Sequence, residues 1–377
     1  MNLRPTPRQR RSVTALLLLS VALAGGCKEL PGTPGASGPS GDAGMGSTGP
    51  SAPTTGAPGS PSATPGAPGA SATPGAPGTS ATPPTGTNPP TSVGGWITID
   101  PAAQAAATAA FFARKPKPVT GNPVKVPEFN VGCTTSHHNS DDPIVLPNLA
   151  GASHNHTFWG NKSTNANSTA ESLRAATATT CNSPQDHSAY WVPTMLQNGK
   201  VVDPDEITVY YGSRLKDPSK TQPFPFGLRM IVGDAKNQVD TPDKQGNHFW
   251  CAGIGGEVGR SADGTFPVCA KTAHIVRQIT FPDCWDGKHL DSPDHKAHMA
   301  NGDHTGACPK SHPVPVPSVS FVISYPLSAN TDGITLASGT SFSMHADFFN
   351  AWEDDALAAR VRNCLDQGVK CNSAGNF

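Results

Sequence analysis

The chain has 377 residues, with 39 Gly, 39 Pro and only 36% hydrophobic residues, and the Gly and Pro crowd towards the N-terminus. From Trp96 onward the composition is ordinary, and 22 Lys+Arg stand against 26 Asp+Glu, a net charge of −4 with no basic stripe. Nucleic acid is therefore not an expected partner, and about 280 residues are left to bury one large core or two closely packed ones.

The N-terminus reads as an export signal. Arg4, Arg8, Arg10 and Arg11 make a positive region, and residues 13–23 make an apolar run too short to span a membrane. Ala24-Gly25-Gly26-Cys27 follows and resembles a bacterial lipobox, in which the cysteine is lipidated and becomes the new N-terminus. Ala24 departs from the usual Leu, which stands one place early as Leu23. The alternative is an ordinary cleaved signal peptide with a chance cysteine. Lys28 is not the Asp that retains lipoproteins at an inner membrane, so an outer membrane or cell surface is the expected address. Residues 1–26 are thus assigned as lipoprotein signal peptide, with a lipid anchor at Cys27 as the membrane contact.

Residues 27–95 read as a Pro/Gly/Ser/Thr/Ala-rich tether. SATPGAPG occurs at residues 62–69 and again at 71–78, and Gly32, Gly35, Gly38, Gly41 and Gly44 recur at period three over a stretch too short for a collagen helix. Such a segment has almost nothing to bury and is expected to be an extended, disordered spacer.

Order is expected near Trp96, opening a globular domain over 96–377. Residues 102–112 are Ala-rich and predict a short helix. Apolar runs at 207–211, 228–232, 275–281, 319–325 and 334–336 have strand length and many β-branched or aromatic residues, separated by Pro, Gly, Asn and Asp. With no βαβ alternation, the fold class is mainly β: an antiparallel β-sandwich-like domain with long disulfide-stapled loops and a C-terminal helix. That helix is predicted from Asn350 as cap, with Glu353 as capping-box partner and Asp354 and Asp355 in the first turn. Leu357, Val361, Cys364 and Leu365 share its inner face, and Gly368 ends it.

Setting Cys27 aside leaves Cys133, Cys181, Cys251, Cys269, Cys284, Cys308, Cys364 and Cys371, an even number that reads as a disulfide framework in an exported domain. Eight cysteines admit 105 pairings; sequence neighbours suggest Cys133–Cys181, Cys251–Cys269, Cys284–Cys308 and Cys364–Cys371. No CxxC spacing supports a zinc ribbon or a thioredoxin-type site.

The 13 histidines cluster. One group runs from Ser136-His137-His138 through Asp141-Asp142-Pro143-Ile144-Val145 to Gly151-Ala152-Ser153-His154-Asn155-His156-Thr157-Phe158-Trp159-Gly160. A second is Phe281-Pro282-Asp283-Cys284-Trp285-Asp286-Gly287-Lys288-His289-Leu290-Asp291-Ser292-Pro293-Asp294-His295-Lys296-Ala297-His298-Met299. A third is Ser343-Met344-His345-Ala346-Asp347-Phe348-Phe349-Asn350-Ala351-Trp352.

With Tyr190-Trp191-Val192-Pro193 and Phe226-Gly227-Leu228-Arg229-Met230-Ile231-Val232-Gly233-Asp234, these stretches resemble the DUF1996 family of fungal and bacterial secreted proteins. The resemblance runs over residues 130–364, with Ala351 replacing the usual Gly before Trp352. Members joined to WSC or sugar-binding modules imply a cell-wall or polysaccharide setting, but the family supplies no reaction.

The residues must then carry the chemistry. His154 and His156, two apart, point to one face of a strand, and His345 and Asp347 have the same spacing. Together they are candidate ligands for a divalent metal, although no HExxH or EF-hand pattern supports one. His295 and His298 are alternative ligands if their segment turns helically. Acid–base work on a glycan is the second reading, with His154, His156, Asp291, His295, His298, His345 and Asp347 as the catalytic set. Asp142, Asp286 and Arg229 are candidate substrate contacts, and Trp159, Trp191, Trp285 and Trp352 are candidate sugar-stacking platforms. No GxSxG elbow supports a serine nucleophile. The expected function is cleavage of a polysaccharide, hydrolytic or eliminative. The alternatives are a non-catalytic glycan- or matrix-binding domain and a domain whose His/Asp loops only brace the fold.

Overall fold

A computed structural model describes residues 92–93, 95–119, 121–240 and 248–376. The signal peptide, Cys27 and nearly all of the tether lie outside the described residues. Those described belong to one compact unit, Gly86–Phe377. The Ala-rich run forms α1 (Pro101–Ala113), opened by Asp100, whose carboxylate accepts from the backbone N–H groups of Ala102 and Ala103.

In chain order the strands of the two main sheets are β1 (Glu128–Cys133), β2 (Thr135–Asn139), β3 (His156–Gly160), β4 (Ala189–Pro193), β5 (Glu206–Gly212), β6 (Arg229–Gly233), β7 (Trp250–Gly253), β8 (Gly256–Arg260), β9 (His274–Thr280), β10 (Ser318–Tyr325) and β11 (His345–Phe349). Every apolar run named from the sequence is a strand, including the short Ile334–Leu336. One sheet has the order β8-β7-β9-β10-β5-β1 and the other β6-β11-β4-β3-β2. All these pairings are antiparallel.

The two sheets pack face to face as a sandwich. In β1, Phe129, Val131 and Cys133 are buried while their neighbours are not, the alternation of a sheet with one dry face. Opposite them, Trp159, Tyr190, Val192, Met230, Ala346 and Phe348 complete the same core. A hydrogen-bonded chain ties the layers: Trp352 Nε1 donates to the Tyr211 hydroxyl, Tyr211 meets Tyr190, and the Tyr190 hydroxyl donates to Asp186. Asp186 is fully buried, and burial pushes its carboxyl up to about 6 despite these hydrogen bonds and the nearby Arg360 guanidinium. A carboxyl whose folded pKa lies above its unfolded value favours folding most below the unfolded value. That advantage is lost as the pH rises through the folded value. We therefore expect Asp186 to withdraw roughly 3 kcal/mol of stability between about pH 4 and pH 7. Urea unfolding at both pH values should show this slope in the wild type and lack it in Asp186→Asn; an unchanged slope in the variant would refute the assignment.

The four disulfides are Cys133–Cys181, Cys251–Cys269, Cys284–Cys308 and Cys364–Cys371, the four neighbour pairs. They fit an oxidising, extracellular compartment. Among the described residues no helix is long and apolar enough to cross a membrane.

The C-terminal helix starts later than its sequence suggests. It is Asp354–Arg360, continued by a wider turn over Val361–Leu365. Asn350 does not cap it: its side-chain amide donates to the carbonyl of Pro225, and Glu353 precedes the first turn without a side-chain cap. The predicted inner residues Leu357, Val361, Cys364 and Leu365 are all buried.

The five-stranded sheet is buried on both faces; β3, β4 and β11 have no exposed residue. Its outer face carries a second small core of Ile144, Phe158, Ala170, Leu173, Ala189, Trp191, Phe349 and Ala351. Ile144 comes from the loop before β3, and Ala170 and Leu173 from a short helix, Ala170–Ala175, capped by Thr169. His156, His345, Asp347 and Arg229 lie on this outer face, whereas Trp159, Trp285 and Trp352 belong to the main core.

Candidate functional site

Register arranges the outer face in rows. Phe158, Trp191, Asp347 and Ile231 lie side by side across β3, β4, β11 and β6. One step along, His156 stands beside Pro193, and His345 stands beside Gly233. His156 and His345 are therefore two strands apart, and their rings lean across β4 to meet over it. Gly233 has φ +89°, and a Cβ there would lie 2.4 Å from the Met344 carbonyl oxygen, so only glycine lets β6 approach the start of β11 this closely.

The centre is built from three imidazoles. His154 Nε2 lies 3.2 Å from His345 Nε2, and His156 Nε2 lies 3.3 Å from the same atom. His154 precedes β3 rather than lying within it, yet the two-residue spacing still brings its ring to 4.3 Å from that of His156. The other nitrogens of the two buried rings are fixed: His156 Nδ1 donates to the Asp141 carbonyl at 3.0 Å and His345 Nδ1 to the Ser343 carbonyl at 2.9 Å. Burial pushes all three imidazoles down, His156 well below the ordinary range and His345 to about 4. Among the described residues these three form the His/Cys/Asp/Glu group able to hold a metal ion, with ligand atoms within 4.8 Å of one another.

Asp347 adjoins them. It is fully buried, its Oδ2 lies 3.9 Å from His345 Nε2, and neither carboxyl oxygen has a hydrogen-bond partner. Burial between Trp191 and Ile231 pushes its carboxyl well above the usual range, and the Asp142 charge acts in the same direction.

Asp291 and His295 form a second group. His295 Nδ1 donates to Asp291 Oδ1 at 2.9 Å, and Arg229 approaches the other carboxylate oxygen at 3.5 Å. His295 has φ +57°, uncommon for a non-glycine residue, in a segment of turns. The Ile231 N–H donates to its carbonyl, docking the segment against β6. His295 and His298 thus do not share a helical face. His298 is buried with both nitrogens engaged, Nδ1 with Ser292 Oγ and Nε2 with the Arg229 carbonyl. It braces the loop in this arrangement, with neither ring nitrogen left for a metal or a substrate.

The substrate contacts need larger corrections. Trp159, Trp191, Trp285 and Trp352 are each at most 2% exposed, so none offers a face to a sugar ring. They sit inside because truncating a buried tryptophan costs roughly 3–5 kcal/mol. Asp142 is buried, and its Oδ1 accepts from the N–H groups of Ile144 and Val145. Asp286 likewise closes a turn, accepting from the N–H groups of Lys288 and His289 and from the His289 ring. Arg229 is held by Asp291 and lies 4.6 Å over the Phe349 ring.

Two residues outside the candidate set matter more. Asp141 anchors the loop before β3, its oxygens accepting from Asn139 Nδ2, the Gly151 N–H and the Ala166 N–H while its carbonyl holds His156. Ser343 does the same for His345. Both act through backbone carbonyls, which side-chain identity does not advertise; the signal available was their place inside the first and third histidine-rich stretches.

Two cavities, of about 670 and 550 Å³, are not lined by the imidazoles, and the second touches the site only at Arg229. Half-buried His154 is where the centre opens towards solvent.

A family model described as a domain of unknown function (DUF1996) matches residues 142–352. No curated protein and no solved structure matches the chain.

Proposed function

Because the chain belongs to the DUF1996 family, whose chemistry has to be read from its residues, we propose that it is an exported, surface-held enzyme that cleaves a polysaccharide at the His154/His156/His345–Asp347 centre. The observation that carries this reading is Asp347. A fully buried carboxyl with no hydrogen-bond partner is costly to keep. Such groups concentrate where chemistry needs a shifted pKa. A binding surface needs no such group, and the four tryptophans that were candidate sugar platforms, Trp159, Trp191, Trp285 and Trp352, are buried.

Asp347 supplies the proton acceptor for an attacking water, and His295, oriented by Asp291, supplies a second proton-transfer group. Arg229 is already engaged by Asp291 and Phe349, so it is poorly placed to neutralise a substrate carboxylate. This favours the hydrolytic branch over the eliminative one. We also propose that a lipid at Cys27 and the tether over 27–95 hold the domain away from an outer membrane or cell surface.

The test is product release. The full chain, made with its disulfides, is incubated with a panel of cell-wall and matrix polysaccharides, and soluble products are read by mass spectrometry beside folded His345→Ala. The expected result is oligosaccharide that disappears with the variant, each product carrying an added water; products one water lighter would mean elimination. No product from any polymer, with or without divalent metal, would overturn the enzyme reading in favour of a binding domain.

A further inference from the structure

We propose that His154, His156 and His345 bind one divalent transition-metal ion of the zinc class through their three Nε2 atoms, leaving a fourth position open towards Asp347. This goes beyond polysaccharide cleavage and does not depend on it.

Hydrogen bonding fixes the tautomers. A backbone carbonyl only accepts, so the Nδ1 atoms of His156 and His345, facing the carbonyls of Asp141 and Ser343, carry their protons. In the neutral rings the Nε2 atoms then hold lone pairs, and these face each other at 3.3 Å. Two lone pairs at hydrogen-bond distance repel unless a cation lies between them. A metal ion satisfies all three nitrogens at once. Two of the three spacings agree: zinc–nitrogen bonds of about 2.0–2.1 Å at tetrahedral angles place ligand nitrogens about 3.3 Å apart, against the 3.2 and 3.3 Å from His345 Nε2 to the other two, and the third pair lies within 4.8 Å. Metal-bound histidines usually donate their other N–H to a carbonyl or carboxylate, as His156 and His345 do.

The donor set selects the metal class. Three imidazoles suit zinc, copper, nickel and iron, whereas magnesium and calcium require oxygen ligands. Three protein ligands leave an open position, the pattern of catalytic rather than structural zinc. Asp347 is the independent sign of what lies there. Its Oδ2 is 3.9 Å from His345 Nε2, beyond the ligand–ligand spacing, and both its oxygens lack partners. This is the placement of an acceptor for a water that completes the metal's shell.

The experiment uses the full disulfide-bonded chain, stripped with a chelator. Zinc chloride is titrated calorimetrically, bound metal is counted by plasma mass spectrometry, and Co²⁺ reports geometry through its visible spectrum. We expect one zinc per chain, a tetrahedral Co²⁺ spectrum, and no competition from Mg²⁺ or Ca²⁺. His154→Ala, at the half-buried rim where folding is least at risk, should weaken binding by more than about 100-fold, the upper range for losing only a partner of a ligand. His274→Ala, an exposed histidine on β9, should leave it unchanged. Substoichiometric binding, or binding that His154→Ala does not weaken, would overturn the metal site. The two proposals fail separately: metal without product sinks only the polysaccharide reading, and product from a chain that binds no metal sinks only this one.

Discussion

Asp347→Asn is expected to give a folded protein, at least as stable as the wild type at pH 7, with product formation reduced by about 10²- to 10⁴-fold. Asn has nearly the same volume, so the packing between Trp191 and Ile231 survives. The charge is what changes. The Asp347 carboxyl is held well above its ordinary range by burial, with Asp142 adding to the effect and Lys296 opposing it. A carboxyl with a raised folded pKa favours the fold fully below its unfolded value near pH 4, and that contribution is lost as the pH rises through the folded value. At pH 7 the metal-free wild type therefore bears the cost of a buried titrating carboxyl, which an amide, having no charge to lose, does not share, and the variant should be at least as stable. Urea unfolding of chelator-stripped protein at pH 4 and pH 7 measures the difference, and product release measures activity. A variant that cleaves at the wild-type rate would remove Asp347 from the chemistry; one that is markedly less stable at pH 7 would mean that the carboxyl is structural.

Removing Cys133–Cys181 by double alanine substitution should cost about 4 kcal/mol, from the entropy of closing a loop of this length in the unfolded chain. Typical domains have only about 5–15 kcal/mol in total. The bridge spans 48 residues, and within that span lie β2, β3, the Asp141 loop and the two histidines His154 and His156. It also sits where the chain leaves β1 in one sheet for β2 in the other, reinforced by the Asn182 N–H donating to the Gly132 carbonyl at 2.9 Å. Cys364–Cys371 spans 7 residues, and its loss should cost about 2 kcal/mol on the same account. Urea midpoints of the two double variants test the order. A loss below about 1 kcal/mol for the longer bridge, or a larger loss for the shorter one, would show that loop entropy is not what this framework supplies.

Much of the architecture is local and therefore legible in the chain. The strands at 207–211, 275–281 and 319–325 follow from short β-branched and aromatic runs between turn residues, and α1 from an alanine run behind Asp100. The disulfides join sequence neighbours, so proximity along the chain anticipated proximity in space. The pairing of His154 with His156 follows from the two-residue period of extended backbone. Motif resemblance singled out the stretches that form the outer face of the five-stranded sheet.

What the sequence by itself determined is thus the β class, the cysteine framework and the segments that carry the histidines. Only the tertiary structure decided what those residues do. His345 joins His154 and His156 because β4 lies between β3 and β11 and registry places their rings at one level, a pairing across roughly 190 positions that no local pattern encodes. Burial, likewise a property of the whole fold, turned the four tryptophans from candidate sugar platforms into core and left Asp347 without a partner. It also made His298 and Asp142 into braces, because long loops over a sheet must satisfy their backbone groups from whatever polar side chains reach them.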